Sequence, residues 1–238
     1  MTSILIQARN PSDIARTEEI ECFARQIGCQ INDIISINIA TQSIDMSLLE
    51  TADAVLIGGA GEFSVLDNDP RIHRFIDAIG QLCTMDRPVF GSCFGFQAMV
   101  LALGGEVIKD VPNAEVGTYE LYKSKDAEND VIFEDFPSQF LAQLGHQDRA
   151  SVLPNSVINL AYSNRAPYQA IKIPNKAIYA TQFHPELRAE DNALRFSRYM
   201  PIYGKLFGEA EAQARMDSHR SSPQANQILG RFYREFVQ

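Results

Sequence analysis

The sequence describes an acidic globular protein of ordinary composition. It has 238 residues, of which 45% are hydrophobic, and 21 Lys and Arg against 30 Asp and Glu give a formal net charge of −9. A negative net charge disfavours binding to the phosphate backbone of a nucleic acid, and no stretch of the sequence approaches the ~20 consecutive apolar residues that cross a membrane. The four cysteines include no CxxC pair and the N-terminus has no secretory signal, so we expect a cytoplasmic protein with free thiols.

Strands and helices are predicted to alternate over the first hundred residues. Strands are predicted at 4–6, 34–39, 54–57 and 88–90, and helices at 13–27, 71–82 and 96–103. The first helix is expected to bury Ile14, Ile20, Phe23 and Ile27 and to end at Gly28. The alternation favours an α/β fold, with an open, mostly parallel central sheet and helices on both faces.

Beyond residue 106 the pattern changes to closely spaced strands, predicted at 118–122, 157–162, 169–173 and 177–183. We expect these strands to form an antiparallel extension of the same sheet. Residues 126–135 are acidic and are expected to form a solvated loop or a short helix. Helices return after Pro185. We divide the chain into a main domain, 1–200, and a C-terminal helical extension, 201–238, packed on it, with partner binding by the last helix as the alternative.

The clearest local motif is Gly91-Ser92-Cys93-Phe94-Gly95, which lies between a predicted strand and a predicted helix. This is the pattern of a nucleophile elbow, in which a sharp turn holds the nucleophile and small flanking residues allow close packing. A thiol at a helix N-terminus is placed where the thiolate is favoured. The motif therefore predicts a cysteine nucleophile at Cys93, with a merely tight turn as the alternative.

A base for this nucleophile is predicted at His184, at the end of the strand 177–183. The carboxyl ends of strands form the edge where open α/β sheets place their sites. Glu186 follows two residues later and could accept a hydrogen bond from the imidazole, which would fix its tautomer. Taken alone, this His-x-Glu would be read as a surface turn; beside an elbow cysteine it predicts a catalytic pair.

A glycine-rich loop, 58–62, follows the third strand. Its backbone N–H groups could face the cleft, and the N–H of Gly59 could pair with that of Phe94 to bind a developing oxyanion. The loop lacks the Gly-Lys-Ser/Thr of a phosphate-binding loop, and Ser64 stands where a dinucleotide-binding motif needs its third glycine. A plain turn is the remaining alternative.

Together, GSCFGFQ (91–97), QFHPEL (182–187) and the Gly-Gly loop resemble the motifs of class I, triad-type glutamine amidotransferases. The resemblance covers roughly residues 1–200 and implies their flavodoxin-like fold. It is closest to stand-alone relatives of the GMP synthase glutaminase domain, because GHQDRASVLP (145–154) is similar to a segment of that branch.

The resemblance implies a reaction and a site. Cys93 would attack the side-chain amide of glutamine, form a γ-glutamyl thioester and release ammonia, while His184 moves the proton and Glu186 orients the imidazole. The remaining implied roles belong to substrate binding, by Gly58, Gln97 and His146. Neither a cofactor nor a metal ion is expected, since the other histidines lack metal-ligand spacing.

Two departures from the family pattern leave the substrate open: Phe96 where many relatives have histidine, and Ala60 where many have proline. Gly145 stands where serine is usual before His146, which leaves the role of that segment open. The chain carries no Ser-Gly-Gly-x-Asp-Ser loop of an ATP-pyrophosphatase, so an ammonia acceptor would be a separate synthetase chain. The alternatives are a hydrolase of γ-glutamyl peptides or conjugates that needs no partner, and a catalytically silent binding or regulatory protein.

Overall fold

The computed structural model describes all 238 residues. In the first hundred residues, strands and helices alternate as predicted, with one additional helix, Met46–Thr51, that was not predicted. The strands are β1 (Ser3–Ala8), β2 (Ile34–Asn38), β3 (Ala54–Ala60) and β4 (Val89–Ser92), and the helices are α1 (Ala15–Ile27), α2 (Met46–Thr51), α3 (Pro70–Thr84) and α4 (Phe94–Ala102). A short 3-10 helix, Ile31–Asp33, precedes β2.

The second part of the chain contains seven strands and then four helices. The strands are β5 (Glu106–Lys109), β6 (Glu115–Lys123), β7 (Gln139–His146), β8 (Asp148–Val152), β9 (Ile158–Tyr162), β10 (Ala170–Lys172) and β11 (Ile178–Thr181), with 3-10 helices at Val111–Asn113 and Lys125–Asn129. The helices are α5 (Ala189–Phe207), α6 (Glu209–Asp217), α7 (Pro223–Asn226) and α8 (Ile228–Phe236). Strands β5, β7 and β8 were not predicted.

The central sheet has nine strands in the order β2-β1-β3-β4-β11-β10-β9-β6-β7. The pairings from β2 to β11 are parallel, and those from β11 to β7 are antiparallel. The predicted parallel sheet with an antiparallel extension is therefore confirmed. Strands β5 and β8 form a separate antiparallel pair.

Each face of the sheet carries its own hydrophobic core, as expected for strands that alternate their side chains between two covered faces. On β1, Ile4 and Ile6 face the core that is shared with α3 and α4, whereas Leu5 faces the core that is shared with α1 and α8. The sheet is thus covered by helices on both sides.

Helix α1 differs from its prediction at the start. It begins at Ala15, so Ile14 lies before it and is 61% exposed. Its buried face instead includes Glu19, whose side chain is fully enclosed. The end was predicted correctly: Gly28 has φ 76°, a left-handed conformation that glycine adopts without a steric penalty.

The acidic segment 126–135 begins in the short helix that was one of its two predictions, the 3-10 helix Lys125–Asn129, and the rest of it is not a solvated loop. Asp130 is fully buried, and its Oδ2 accepts hydrogen bonds from Lys172 Nζ at 2.6 Å and from Tyr179 Oη at 2.9 Å. Ile132 and Phe133 are buried in the core next to it. The segment therefore covers one end of the antiparallel part of the sheet.

The C-terminal helices are packed into the body. Helix α5 continues through residue 200, where the sequence analysis placed the boundary between the main domain and the C-terminal extension. That boundary remains a prediction. Helix α8 lies against α1, and its Phe232 ring meets Phe90 of β4 edge-on, with centroids 5.4 Å apart. No helix is both long and apolar enough to cross a membrane.

Replacing Phe232 by alanine should lower the free energy of unfolding by about 3–5 kcal/mol, because it removes a fully buried aromatic ring and leaves a cavity. Glu235→Ala, an exposed change on the same helix, should stay within about 0.5 kcal/mol of the wild type. Urea denaturation of the three proteins measures both values. Equal stabilities would show that α8 is not part of the cooperative unit.

Candidate active site

The predicted site residues follow the carboxyl ends of neighbouring parallel strands. The glycine-rich loop follows β3, Cys93 follows β4, and His184 lies three residues beyond β11. Because β3, β4 and β11 are adjacent and parallel, these residues meet at one edge of the sheet.

Cys93 sits in a strained turn between β4 and α4. Its φ of 51° and ψ of −94° lie outside the regions that non-glycine residues favour. Its N–H donates to the Thr181 carbonyl at 2.7 Å, which ties the turn to β11. The residue as a whole is 8% exposed and lines the cleft.

The two elbow glycines are required by packing. A Cβ on Gly91 would lie 2.9 Å from the Gly95 carbonyl carbon, and one on Gly95 would lie 2.8 Å from Ile57 Cβ and 2.9 Å from the Ile57 carbonyl oxygen. Both contacts involve backbone, which has little room to yield. Glycine at these positions lets α4 approach β3 and so fixes the direction of the Cys93 side chain.

His184 and Glu186 form a buried hydrogen-bonded pair. His184 Nδ1 donates to Glu186 Oε1 at 2.7 Å, and the other carboxylate oxygen accepts from Ser92 Oγ at 2.8 Å. The His184 N–H donates to the Gln143 carbonyl of β7 at 2.8 Å. Ser92, the residue before the cysteine, was not predicted to take part; it joins the elbow to the carboxylate.

The electrostatic setting favours a charged His184. Burial by itself lowers the pKa of the imidazole, but the charges and hydrogen bonds of Glu186 and Cys93 outweigh it and raise the pKa of His184 to about 10. The ring is therefore placed between a carboxylate and the sulfur as an imidazolium at neutral pH. An imidazolium can give a proton to a group held beside the sulfur.

A line of side-chain amides connects the sulfur to the strand pair β5–β8. Gln182 Nε2 lies 3.6 Å from Cys93 Sγ and donates to it, while Gln182 Oε1 accepts from Gln97 Nε2 at 3.2 Å. Gln97 Nε2 also donates to the Asp148 carbonyl at 2.7 Å. The amide nitrogen of Gln97 is thus used within the fold, and its part in substrate binding remains a prediction.

The two predicted oxyanion donors differ in availability. Phe94 is the first residue of α4, so its N–H has no partner inside the helix. The N–H of Gly59, in contrast, donates to Glu19 Oε1 at 3.1 Å and is occupied in this arrangement. A role of Gly59 as a second oxyanion donor therefore requires Glu19 to release it.

Glu19 is a part of the site that sequence reasoning missed. Its buried carboxylate also accepts from Gln7 Nε2 at 2.8 Å and from Arg9 Nη2 at 2.9 Å. Burial alone would raise the pKa of Glu19, but the charge and hydrogen bonds of Arg9 hold it below the usual value. The available signal was its position, four residues before the buried Phe23 on one helix face.

The glycine loop rests on this carboxylate and on the imidazole. A Cβ on Gly58 would lie 2.7 Å from Glu19 Oε2, and one on Gly59 would lie 3.0 Å from His184 Cε1. Neither position has room for a side chain. The predicted part of Gly58 in substrate binding remains a prediction, since its closest neighbour here is Glu19.

His146 is held by the fold on both sides of its ring. Its Nε2 lies 3.1 Å from Glu115 Oε2 and its Nδ1 lies 3.1 Å from the Asp148 carbonyl oxygen. These contacts connect β7 to β6 and to β8. The side chain still borders the cleft, where its expected part in substrate binding remains a prediction.

Two adjoining cavities flank the Cys93–His184 pair. The first, about 280 Å³, is mostly polar and includes Cys93 in its lining, together with Phe94, Gln97, His146, Asp148, Lys109, Asp67 and Ser64. The second, about 360 Å³, lies on the His184 side and extends to α5. The lining residues common to both are Ala60, Gly61, Glu62, Gly145 and Gln147.

Replacing Gly95 by alanine should lower the free energy of unfolding by about 1–3 kcal/mol, because the added methyl group meets the Ile57 backbone. Gly80→Ala is the matched control, since its Cβ would be 3.7 Å from the nearest atom and helix α3 should gain up to about 1 kcal/mol. Urea denaturation measures both. A Gly95→Ala protein as stable as the wild type would contradict the packing described for the elbow.

The charge state of His184 can be followed by NMR titration of the four histidine rings. A histidine is protonated below its pKa, so in the wild type the His184 ring should stay charged through neutral pH and titrate near pH 10. Glu186→Gln removes one of the two charges that raise the pKa, and the midpoint should fall by about one to three pH units. His73, far in sequence from these groups, serves as the internal control.

The model of the family described as "Glutamine amidotransferase class-I" matches residues 15–198 of the chain. Among curated proteins, one subunit of the glutamine-hydrolysing GMP synthase of Methanococcus maripaludis is 34% identical over 123 residues, 52% of this chain and 63% of that protein. The glutamine-hydrolysing GMP synthase of Thermosipho africanus is 33% identical over 135 residues, 56% of this chain and 24% of that protein. The alignment thus spans about a quarter of such full-length synthases.

Solved structures share the fold. A glutamine amidotransferase from Thermotoga maritima superimposes with a TM-score of 0.73 at 18% identity, covering 100% of this chain and 99% of that one. One from Methylobacillus flagellatus gives a TM-score of 0.75 at 17% identity, covering 100% and 95%. The family match over most of the chain agrees with the motifs and with the sheet order, and the protein belongs to the class I glutamine amidotransferase family.

Proposed function

We propose that this protein hydrolyses the side-chain amide of glutamine with Cys93 as the nucleophile. The observation that carries the proposal is the meeting of a strained elbow cysteine with a buried His184–Glu186 pair at one sheet edge. The two curated relatives are named for glutamine hydrolysis, which supports the same substrate here.

In the first step, Cys93 Sγ attacks the amide carbon of the glutamine side chain. The imidazolium of His184 gives its proton to the amide nitrogen, the C–N bond breaks, and ammonia leaves a γ-glutamyl thioester. Glu186 fixes the orientation of the imidazole through its hydrogen bond to Nδ1, and Ser92 holds the Glu186 carboxylate. The N–H of Phe94 is placed to stabilise the oxyanion that forms on the carbonyl oxygen.

In the second step, water attacks the thioester carbon. His184, now neutral, takes a proton from the water and keeps it, so that glutamate and the Cys93 thiolate are released and the imidazolium of the first step is restored. Gln182, which donates to Cys93 Sγ in the resting site, can stabilise negative charge on the sulfur as the C–S bond breaks. We assign Gln182 this supporting part.

The polar cavity suits the amino-acid end of the substrate. It contains one lysine, Lys109, and three carboxylates, those of Glu62, Asp67 and Asp148, in addition to Cys93. We assign the ammonium of Lys109 to the α-carboxylate and the aspartates to the α-amino group, because opposite charges placed in this way orient a zwitterion. The carbonyl oxygen of Gln97 and the ring of His146 complete the wall.

We further propose that the ammonia is used by a separate synthetase chain. The relatives include one synthase subunit, and also longer synthases of which the alignment spans about a quarter. Hydrolysis of a γ-glutamyl peptide or conjugate is the second candidate, and the observation that favours it is the cavity of about 360 Å³ beyond His184.

Replacing Cys93 by alanine should abolish glutamate release from L-glutamine while the protein keeps its fold, because no other group in the cleft is placed to form the thioester. Cys29→Ala is the matched control: this thiol lies just beyond the C-terminal end of α1 and its loss should leave the rate unchanged. Glu186→Gln should lower the rate less than Cys93→Ala, since Glu186 orients the base and does not attack.

Enzymatic measurement of glutamate and ammonia, with circular dichroism as the folding control, tests all three variants. Full activity of the Cys93→Ala protein would disprove the mechanism. An ammonia-supplying protein should also be slow alone and faster with its synthetase. A rate independent of any synthetase would favour the second candidate.

A further inference from the structure

The cavity beyond His184 is lined in large part by helix α5 and contains the charged side chain of Arg195. Its lining on α5 comprises Asn192, Arg195, Phe196, Tyr199, Ile202 and Tyr203. With Leu187 and Val116, these residues make it more apolar than the cavity that holds Cys93. We call it the α5 cavity.

The α5 cavity is placed where a leaving group would go. It is lined by His184 but not by Cys93, whereas the first cavity is lined by Cys93 but not by His184. In the proposed reaction the acyl part is bonded to sulfur and the leaving amine takes its proton from His184. The acyl part therefore belongs to the first cavity and the amine to the second.

The connection between the cavities is kept open at Gly145. This residue lines both, and a Cβ on it would lie 3.8 Å from His184 Nε2. Any longer side chain there would extend into the space beside the imidazole. Glycine at this position keeps side-chain atoms out of the space where the two cavities meet.

The size exceeds what ammonia requires. Ammonia is close in size to water, which occupies about 30 Å³ in the liquid. The α5 cavity, at about 360 Å³, falls within the range of small-molecule sites. A leaving amine with several carbon atoms would fill it.

Of the two arginines that line the cavity, Arg195 forms no ion pair, while the carboxylate of Glu62, which also lines the cavity, accepts from the Asn10 amide. Arg195 Nη2 is enclosed and has no hydrogen-bond partner, and its guanidinium forms none of the ion pairs in the structure. Arg9, the other arginine of the lining, is neutralised by Glu19 and Asp13. Arg195 is half-buried and lines the cavity, and a guanidinium without an ion-pair partner is suited to bind a carboxylate.

We propose that the α5 cavity is a subsite for the leaving amine of a γ-glutamyl amide, and that it accepts an amino acid with an apolar or aromatic side chain. Arg195 binds the carboxylate of that amino acid, and Phe196, Ile202 and Tyr203 surround its side chain. The inference rests on the proposed role of Cys93 and names a substrate class for the same site.

Hydrolysis of a γ-glutamyl peptide would follow the same two steps as hydrolysis of glutamine. Cys93 Sγ bonds to the γ-carbonyl carbon, the C–N bond of the γ-glutamyl peptide breaks, and His184 protonates the departing nitrogen. The free amino acid leaves through the α5 cavity. Water then releases glutamate from the thioester, and no oxidant or further reactant is consumed.

The test compares three substrates on the purified full chain: L-glutamine, γ-glutamyl-L-phenylalanine and γ-glutamyl-phenethylamine, which lacks only the carboxylate of the phenylalanine. We expect kcat/KM to be about tenfold or more higher for γ-glutamyl-L-phenylalanine than for either of the others, since a charged hydrogen-bonded pair adds to the binding. Arg195→Met should bring the two γ-glutamyl amides to within about threefold of each other.

Arg198→Met is the matched control. Arg198 lies three residues further along α5, pairs with Glu18 and does not line the cavity, so the preference for the carboxylate should persist. Should the Arg195→Met protein not fold, the ratio of kcat/KM for the two γ-glutamyl amides on the wild type still tests whether the cavity binds a carboxylate.

Equal kcat/KM for the two γ-glutamyl amides in the wild type would overturn the inference, and so would a preference that survives in Arg195→Met. If L-glutamine is hydrolysed in a Cys93-dependent way while neither γ-glutamyl amide is preferred, the inference fails and the proposed function stands. If no substrate shows Cys93-dependent turnover, both fail.

Discussion

The close approach of helix α4 to strands β3 and β4 is the constraint on which the rest of the site depends. It is possible only because Gly91 and Gly95 carry no Cβ, and the turn between them holds Cys93 at a positive φ. A residue in such a conformation costs about 1–3 kcal/mol and persists only where its surroundings determine it. Here the surroundings are the parallel strands themselves, so the sheet that provides the core also sets the direction of the thiol.

On the opposite side of the cleft, the position of the glycine loop is set by the buried carboxylate of Glu19. Glu19, buried under the glycine loop, receives hydrogen bonds from Arg9, Gln7 and the Gly59 backbone. Buried ion pairs contribute little net stability, because desolvation consumes most of the attraction. The Arg9–Glu19 pair therefore acts mainly by positioning. It holds the glycine loop against the His184 ring, and Glu19 accepts a hydrogen bond from the Gly59 N–H, the predicted second oxyanion donor.

Local pattern was sufficient for the parallel half of the fold, since strands such as Ala54–Ala60 are uninterrupted apolar runs and the elbow has its own signature. It failed for β7 and β8, where polar and charged residues such as Gln143 and Asp148 interrupt the apolar pattern. Gln143 is nevertheless fully buried, because its amide donates to the Arg220 carbonyl and to Ser222 Oγ. The positions of Cys93, His184 and Glu186 were predictable from motifs. Contacts formed by tertiary packing, including that of Gln182 with the sulfur and the enclosure of Arg195, have no signal in local sequence.

The segment that carries His184 is held from behind by a residue far along the chain. Asn226 donates its amide hydrogens to the carbonyls of Pro185 and Leu187, at 2.9 and 2.7 Å. A ribosome releases residues from the N-terminus onward, so both carbonyls emerge about forty residues before their partner does. The loop beside the nucleophile therefore acquires its final support late in synthesis, after every strand of the sheet has left the ribosome.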